Sequence, residues 1–203
     1  MHRIFIGIRP PPPTRDLLID TMDGVDAARW QDEDQLHLTL RFAGECETPQ
    51  ANDLADALTN VTMPAFELQI AGTGFFTRKG AVRALWAGLA PSPELHRLQH
   101  KVERVCQSVG LPPETRKSTP HITLARMNTM SGDAAEWLAR WGNLRSSPFT
   151  VDAMTLFESH LRDAGSAYET VLKISLPGET GSEAPFDEAD FEQSGATQAG
   201  SVR

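Results

Sequence analysis

HLTL at residues 37–40 and HITL at residues 121–124 repeat one pattern, His-x-Thr-Leu with an aliphatic second residue, 84 positions apart. Each copy lies in an alternating run that is typical of a β-strand, where residues i and i+2 share a face. The histidine and threonine of each copy are therefore expected on one face and the aliphatic residues on the buried face. One copy would be typical of an ordinary half-exposed strand, because threonine favours strands. Two copies nearly half the folded body apart indicate an internal duplication, with two lobes facing each other across a cleft.

The segments around the two motifs alternate between strand-like and helix-like patterns. A β-branched and aromatic run at residues 3–8 predicts a strand, which the prolines after it would end. Ser92-Pro93 predicts the start of a helix that runs to about Val109, with apolar residues spaced three and four positions apart. Mixed strands and helices with short connections predict the α+β class.

Three local expectations concern the segment between the motifs. Thr48 and Pro49 are typical of an N-cap and first helical turn, so they predict a helix through about Leu58. Alternation over residues 66–70 predicts one strand. Residues 72–74, Gly-Thr-Gly, predict a flexible turn before two phenylalanines.

The composition excludes several classes of protein. Apolar residues make up 40% of the chain and charged residues 23%, which is typical of a globular protein. No apolar run approaches the roughly 18–20 residues needed to span a bilayer, and the apolar start of the chain is too short for a signal-peptide core. Cys46 and Cys106 lie 60 positions apart, which argues against a disulfide scaffold or a cysteine-rich zinc site. A cytoplasmic location without membrane association is therefore expected.

The charge is distributed unevenly along the chain. The formal net charge is −8, which argues against a broad electrostatic grip on nucleic acid. Residues 178–203 hold six acidic residues and one arginine, so the domain at residues 1–177 is close to balanced. The acidic segment has no sustained apolar period and is expected to be a disordered tail. The alternative is a short docking peptide built on Phe186 and Phe191.

The duplicated motif brings two imidazoles and two hydroxyls to one cleft, and these groups limit the chemistry. A neutral imidazole accepts a proton and a protonated imidazole donates one, so a pair provides a base and an acid. Threonine hydroxyls can donate to the non-bridging oxygens of a phosphate. The sequence shows no nucleophilic triad and no carboxylate cluster, so no metal and no cofactor are expected. The predicted substrate is a phosphodiester, and a strained cyclic phosphate is the best candidate.

These features resemble the two-histidine phosphoesterase superfamily, and within it the RNA 2′,3′-cyclic phosphodiesterases, historically called 2′-5′ RNA ligases. The resemblance extends over roughly residues 3–176. It depends on the paired motifs and on RIFIGIRPPP at the start, ARW, HLTLRFAGE, GTGFF, RALW, RKSTPHITLAR, and Glu158-Ser159, Gly165 and Tyr168 near the end.

The resemblance implies a bilobal, duplicated α+β fold with two antiparallel sheets facing a central cleft and helices on the outside. It implies hydrolysis of an RNA 2′,3′-cyclic phosphate end to a 2′-phosphate, with such RNA as the partner. A monomer is expected because nothing in the sequence demands a larger assembly. His121 matches the proton acceptor that activates water, and His37 matches the donor that protonates the departing 3′ oxygen. Thr39 and Thr123 match the phosphate-binding hydroxyls.

Two arginines and a phenylalanine complete the candidate site. Arg126, five places after the second histidine, matches a basic residue near the phosphate, and Phe42 at the equivalent place is expected to border the nucleotide pocket. Strict alternation puts Arg41 on the face of His37 and Arg126 on the opposite face from His121. Arg126 therefore reaches the phosphate only if its strand ends or bulges near Ala125. Arg41 is a second candidate, predicted from alternation alone.

Other functions remain compatible with the sequence. Within the enzyme class, the substrate could be a small cyclic nucleotide or an ADP-ribose cyclic phosphate. From another class, the chain could bind phosphorylated RNA ends without turnover, although binding alone does not require an acid and a base together. A third interpretation is a scaffold that works through its acidic tail.

Overall fold

The computed structural model of the chain describes residues 1–115, 119–162 and 165–177. The predicted tail, residues 178–203, lies outside the described residues. A 3-10 helix covers Glu33–Gln35. The strands and α-helices have the following bounds: β1 His2–Ile8, α1 Pro12–Ile19, β2 Arg29–Trp30, β3 Leu38–Cys46, α2 Thr48–Leu58, β4 Phe66–Leu68, β5 Ile70–Arg78, β6 Ala81–Leu89, α3 Pro93–Ser108, β7 His121–Arg126, α4 Ala135–Trp141, β8 Phe149–Val151, β9 Ala153–Arg162 and β10 Gly165–Ser175.

The main sheet has eight strands and consists of two similar halves. Its strand order is β10-β9-β1-β3-β7-β6-β5, and β2 pairs with β7 outside this path. We call β10, β9, β1 and β3 the first half-sheet, and β7, β6, β5 and β2 the second half-sheet. All described pairs are antiparallel, and the halves are joined by one residue pair, Leu38 with Ile122. The α+β class and the duplicated architecture are confirmed.

Both half-sheets have the same irregularity at the same point of the motif. In β3, Thr39 and Arg41 pair with consecutive residues of β1, so Leu40 has no partner there. In β7, Leu124 is left without a partner on β6 in the same way. Each motif thus ends in a β-bulge, and a bulge reverses the alternation of side chains beyond it. A two-stranded sheet of β4 and β8 lies apart from the main sheet.

A single core stabilises both halves. Leu38 and Ile122, the residues that join the half-sheets, are fully buried in one hydrophobic cluster with side chains from the other strands and the helices. Helix α3 packs against β3 and α2. The helix begins at Ser92-Pro93, as predicted: Ser92 is its N-cap, and the hydroxyl of Ser92 accepts from the backbone N–H of Leu95 at 3.1 Å. None of the helices in the described ranges is long and apolar enough to cross a membrane.

The structure confirms the predicted helix through Leu58 and corrects three other local expectations between the motifs. Thr48 is the first residue of α2 and not its cap, and its hydroxyl lies 3.1 Å from Nε2 of His2. The predicted strand at 66–70 is two strands, because β4 and β5 belong to different sheets. Residues 72–74 lie inside β5 and not in a turn. A Cβ on Gly74 would lie 2.3 Å from the Trp86 ring. Glycine is therefore needed at this position because the indole packs against its backbone, and not because the chain turns there.

Candidate active site

The cleft between the half-sheets contains a cavity of about 190 Å³. Both motif histidines and both motif threonines line it, together with Arg126 and Phe42, as predicted. The complete lining is Arg3, Phe5, Gln31, His37, Thr39, Phe42, His121, Thr123, Arg126, Ser159, Ser166 and Tyr168. Residues far apart along the chain therefore present two imidazoles to one space.

Each imidazole is fixed in the same way. Nδ1 of His37 lies 2.7 Å from the carbonyl oxygen of Gln35, and Nδ1 of His121 lies 2.7 Å from that of Thr119. A carbonyl only accepts, so Nδ1 of each ring must carry a hydrogen. Nε2 is then the atom that accepts or releases the working proton. The partner lies two residues upstream in both cases, as expected for duplicated sites.

Aromatic rings hold both imidazoles in place. His37 lies against Phe5, with ring centroids 4.6 Å apart, and edge-on to Tyr168 at 5.0 Å. His121 lies edge-on to Phe76 at 4.8 Å and near Trp86 at 6.2 Å. These contacts remove rotational freedom from the rings, so Nε2 keeps its direction. They also replace water around the imidazoles, which affects their protonation.

Both histidines favour the neutral form in the free protein. The pKa of His37 is lowered to about 4, chiefly by burial and also by the nearby charges of His121, Arg126 and Arg9, against the opposing effect of the Gln35 carbonyl. Burial also lowers the pKa of His121, with Arg126 adding to the effect and the Thr119 carbonyl opposing it. An anion in the cavity would oppose these shifts, because it stabilises the protonated rings.

The bulges decide which side chains after the motifs reach the cavity. Beyond Leu124 the alternation of β7 is reversed, which turns Arg126 toward the cleft. The required bulge near Ala125 is therefore present. Phe42 occupies the corresponding position of the first half-sheet; it is 42% exposed, and the guanidinium of Arg3 lies 5.3 Å from the centre of its ring.

The prediction that Arg41 lies at the site is wrong. Its side chain does not line the cavity and is 8% exposed. The guanidinium donates to Oε2 of Glu103 at 2.6 Å and to the carbonyl oxygens of Phe42 at 2.6 Å and Pro112 at 2.5 Å. The bulge at Leu40 turns Arg41 to the helix side of the sheet, where it pairs with α3. Strict alternation failed here because it assumes an unbroken ladder.

Sequence reasoning missed several residues of the cavity. Arg3 and Phe5 alternate on β1, next to β3, so the alternation of the first strand could have indicated them. Ser159 and Tyr168 were noted only as features of the resemblance, and their pairing across β9 and β10 brings them to the cavity. Gln31 had no signal in the sequence, because it follows the two-residue strand β2 and belongs to no periodic run.

Paired His-x-Thr motifs in one cleft between duplicated half-sheets define a two-histidine phosphoesterase. The family model of the 2′-5′ RNA ligase superfamily matches residues 10–163. Since this match covers most of the chain, the protein belongs to the 2′-5′ RNA ligase superfamily, which confirms the resemblance seen in the sequence.

Curated relatives carry one activity in their names. The RNA 2′,3′-cyclic phosphodiesterase of Aeropyrum pernix is 31% identical over 163 residues, which is 79% of this chain and 91% of that protein. The protein of the same name from Thermus thermophilus is 30% identical over 193 residues, with 89% and 93% covered. The one from Escherichia coli is 30% identical over 179 residues, with 86% and 97% covered.

Solved structures share the fold. The crystal structure of Escherichia coli LigT complexed with 3′-AMP superposes with a TM-score of 0.69 at 24% identity, over 86% of this chain and 98% of that one. A crystal structure described as a phosphoesterase gives a TM-score of 0.70 at 25% identity, over 87% and 98%. The two-lobed architecture is thus common to these chains at low sequence identity.

Proposed function

We propose that the protein hydrolyses RNA 2′,3′-cyclic phosphate ends to 2′-phosphomonoesters without a metal ion. The observation that carries the proposal is the pair of imidazoles in one cavity, each with Nδ1 held by a carbonyl and Nε2 left for proton transfer. The names of the relatives, each an RNA 2′,3′-cyclic phosphodiesterase, support the same substrate.

The two histidines have opposite tasks in this reaction. Neutral His121 takes a proton from water as the water oxygen forms a bond to phosphorus. Protonated His37 gives its proton to the 3′ oxygen as the P–O3′ bond breaks. The product carries a 2′-phosphate and a free 3′-hydroxyl. Since burial keeps His37 neutral in the free protein, it gains its proton when the phosphodiester anion binds beside it.

Four further side chains bind the substrate. The hydroxyls of Thr39 and Thr123 donate to the two non-bridging oxygens of the phosphate, one from each half-sheet. Arg126 adds a positive charge next to the phosphate, and its effect on the pKa of both histidines supports a position near both rings. Phe42 offers an exposed ring against which the terminal nucleoside packs.

Activity on a defined RNA end tests the proposal. The purified full chain is incubated, with EDTA present, with an oligoribonucleotide that ends in a 2′,3′-cyclic phosphate, and the product is resolved from its 3′-phosphate isomer. We expect a 2′-phosphate product, and loss of about 10²-fold or more in kcat in His37→Ala and in His121→Ala. His96→Ala, on the exposed face of α3, is the matched control and should keep full activity.

Three outcomes would contradict the proposal: no turnover of cyclic ends by the wild-type chain, loss of turnover in EDTA, or wild-type kcat in either histidine variant. A cyclic mononucleotide run in parallel decides between an RNA substrate and the small cyclic nucleotide alternative. A higher kcat/KM on the oligonucleotide is expected. Phosphate binding without turnover would favour the non-catalytic binder.

We further propose that the protein acts as a cytoplasmic monomer. The groups that the proposed reaction uses, His37, His121, Thr39 and Thr123, all line one cavity of one chain, so the reaction needs no residue from a second copy. Cys46 and Cys106 are buried free thiols, which supports a reducing compartment. Light scattering at assay concentration should give the mass of one chain, and a dimer mass would contradict this.

A further inference from the structure

Gln31 combines burial, a cavity position and an unused hydrogen-bond donor. Its side chain is 8% exposed and lines the catalytic cavity. Its amide nitrogen Nε2 is fully buried and has no hydrogen-bond partner within the described part of the chain. Six other buried side-chain atoms there share this property, but none of them belongs to a residue that lines the cavity.

The backbone places Gln31 where the half-sheets separate. The N–H of Gln31 donates to the carbonyl oxygen of Leu124 at 2.8 Å, so it extends the pairing of β2 with β7 by one residue. Leu124 is the bulge residue that turns Arg126 toward the cleft. On the other side, β3 pairs with β7 only at Leu38 and Ile122. Gln31 therefore stands beside the second motif, in the gap between the two motif strands.

A buried amide without a partner destabilises the folded protein, because the group loses its hydrogen bonds to water. In a cavity that binds an anion, the same donor gains a partner when the anion arrives. A neutral amide also donates without adding positive charge. A cationic side chain at this position would instead lower the pKa of His37 and His121 beyond the effect of Arg126. The environment of Gln31 thus suits a neutral donor to an anionic ligand.

We propose that the side-chain amide of Gln31 rotates when phosphate binds, so that Nε2 donates a hydrogen bond to a non-bridging oxygen of the phosphate held between His37 and His121. This inference rests on the proposed function and adds a third neutral donor to Thr39 and Thr123. The contact fixes the phosphate between the rings and carries no proton of the reaction. Gln31 is accordingly a substrate-binding residue whose loss weakens phosphate binding and leaves the pH dependence unchanged.

Two variants separate the effect of the Gln31 amide donor from the effect of the size of the side chain. Gln31→Met keeps the length of the side chain and removes the amide. Gln31→Glu keeps the shape and replaces the donor with a carboxylate that repels phosphate. Gln99→Met is the matched control, because Nε2 of Gln99 is also buried without a described partner but lies on α3, outside the cavity.

Three measurements on the full chain test the contact. Binding of inorganic phosphate is followed by NMR of the imidazole hydrogens, thermal unfolding gives Tm without ligand, and cyclic-phosphate hydrolysis gives kcat/KM. For Gln31→Met we expect phosphate binding and kcat/KM to fall about tenfold or more, with Tm unchanged or higher and the pH profile unmoved. In Gln31→Glu, phosphate binding and kcat/KM should fall further, and both should recover partly at low pH, where the introduced carboxyl is protonated. Gln99→Met should match the wild type in phosphate binding and kcat/KM.

The contact is overturned if Gln31→Met binds phosphate as tightly as the wild type, if Gln99→Met shows the same loss, or if the wild type binds no phosphate. If Gln31→Met does not fold, Gln31→Glu decides, since it preserves the size of the side chain. A wild-type chain that binds phosphate but leaves cyclic ends intact would contradict the proposed function alone. The binding data would still decide on Gln31.

Discussion

At the scale of single residues, the protonation state of the ligand-free site suits the proposed base but not the proposed acid. Both imidazoles carry a hydrogen on Nδ1 and favour the neutral form, which suits His121 as the proposed base. The proposed acid is His37, whose pKa is lowered to about 4, chiefly by burial, so in this mechanism the ring takes up a proton from solvent when the anionic substrate binds. This arrangement makes protonation of His37 a consequence of binding an anion, and it couples acid catalysis to occupancy of the cavity.

That coupling predicts different pH limits for kcat/KM and kcat. The profile of kcat/KM reports the pKa values of the free protein, and that of kcat those of the complex. Because bound phosphate raises the pKa of His37, the basic limb of kcat should lie at higher pH than that of kcat/KM. Steady-state kinetics over the full pH range check this, and NMR titration of His37 should give a midpoint near 4 that rises when phosphate is added. Coincident basic limbs would contradict the coupling.

At the scale of secondary-structure elements, two bulges and one glycine shape the site. The bulges at Leu40 and Leu124 bring Phe42 and Arg126 into the cavity and send Arg41 to α3. Gly7 on β1 pairs with Thr39. A Cβ at Gly7 would lie 2.9 Å from the carbonyl oxygen of Leu38 and 3.6 Å from Cδ2 of His37, so β1 approaches the first motif as closely as a backbone allows.

Gly7→Ala is therefore expected to disturb both stability and catalysis. The added methyl group must displace backbone of β3, which should lower the free energy of unfolding by about 1–3 kcal/mol. Urea denaturation measures this loss. Because the displaced segment includes the start of the first motif, kcat should also fall at temperatures well below Tm. Gly132→Ala is the control: its Cβ would meet Asp26 at 3.3 Å in a loop outside the cavity, so kcat should be unchanged. Equal kcat in Gly7→Ala and the wild type would contradict the role of this close approach.

At the scale of the whole molecule, the two half-sheets share one core and one cavity, and the described chain ends on that core. Leu176 is 2% exposed, and the carbonyl oxygen of Pro177 accepts from the N–H of Ala65 at 3.0 Å. The strand β10 completes the first half-sheet and brings Tyr168 to His37. We therefore expect the folded domain to require the chain up to Pro177.

Two truncations test where the domain ends. A variant that stops at Pro177 should keep the Tm and kcat/KM of the full chain, because it retains every described core and cavity residue. A variant that stops at Lys173 loses the buried side chains of Ile174 and Leu176 and should unfold at a markedly lower temperature. Thermal unfolding and the cyclic-phosphate assay provide the readouts. Lower activity in the Pro177 variant would show that the acidic segment contributes to function.

The duplicated motif was the most informative part of the sequence. Periodicity alone indicated that each histidine shares a face with its threonine, and the duplication indicated that both pairs face one cleft. The capped helix α3 was also predictable, since Ser92 and its apolar stripe depend on local chemistry. The resemblance added Arg126 and Phe42, together with the condition of a bulge near Ala125.

What the sequence by itself determined is the set of chemical groups, the α+β class and the two-histidine family, because these depend on local periodicity and repeated motifs. The tertiary structure alone decided the register: which residue bulges, that Arg41 faces α3, and that Gln31 enters the cavity. The physical reason is that a bulge forms where pairing with a neighbouring strand and core packing require it. Those partners are distant in sequence, so no local pattern encodes the change of face.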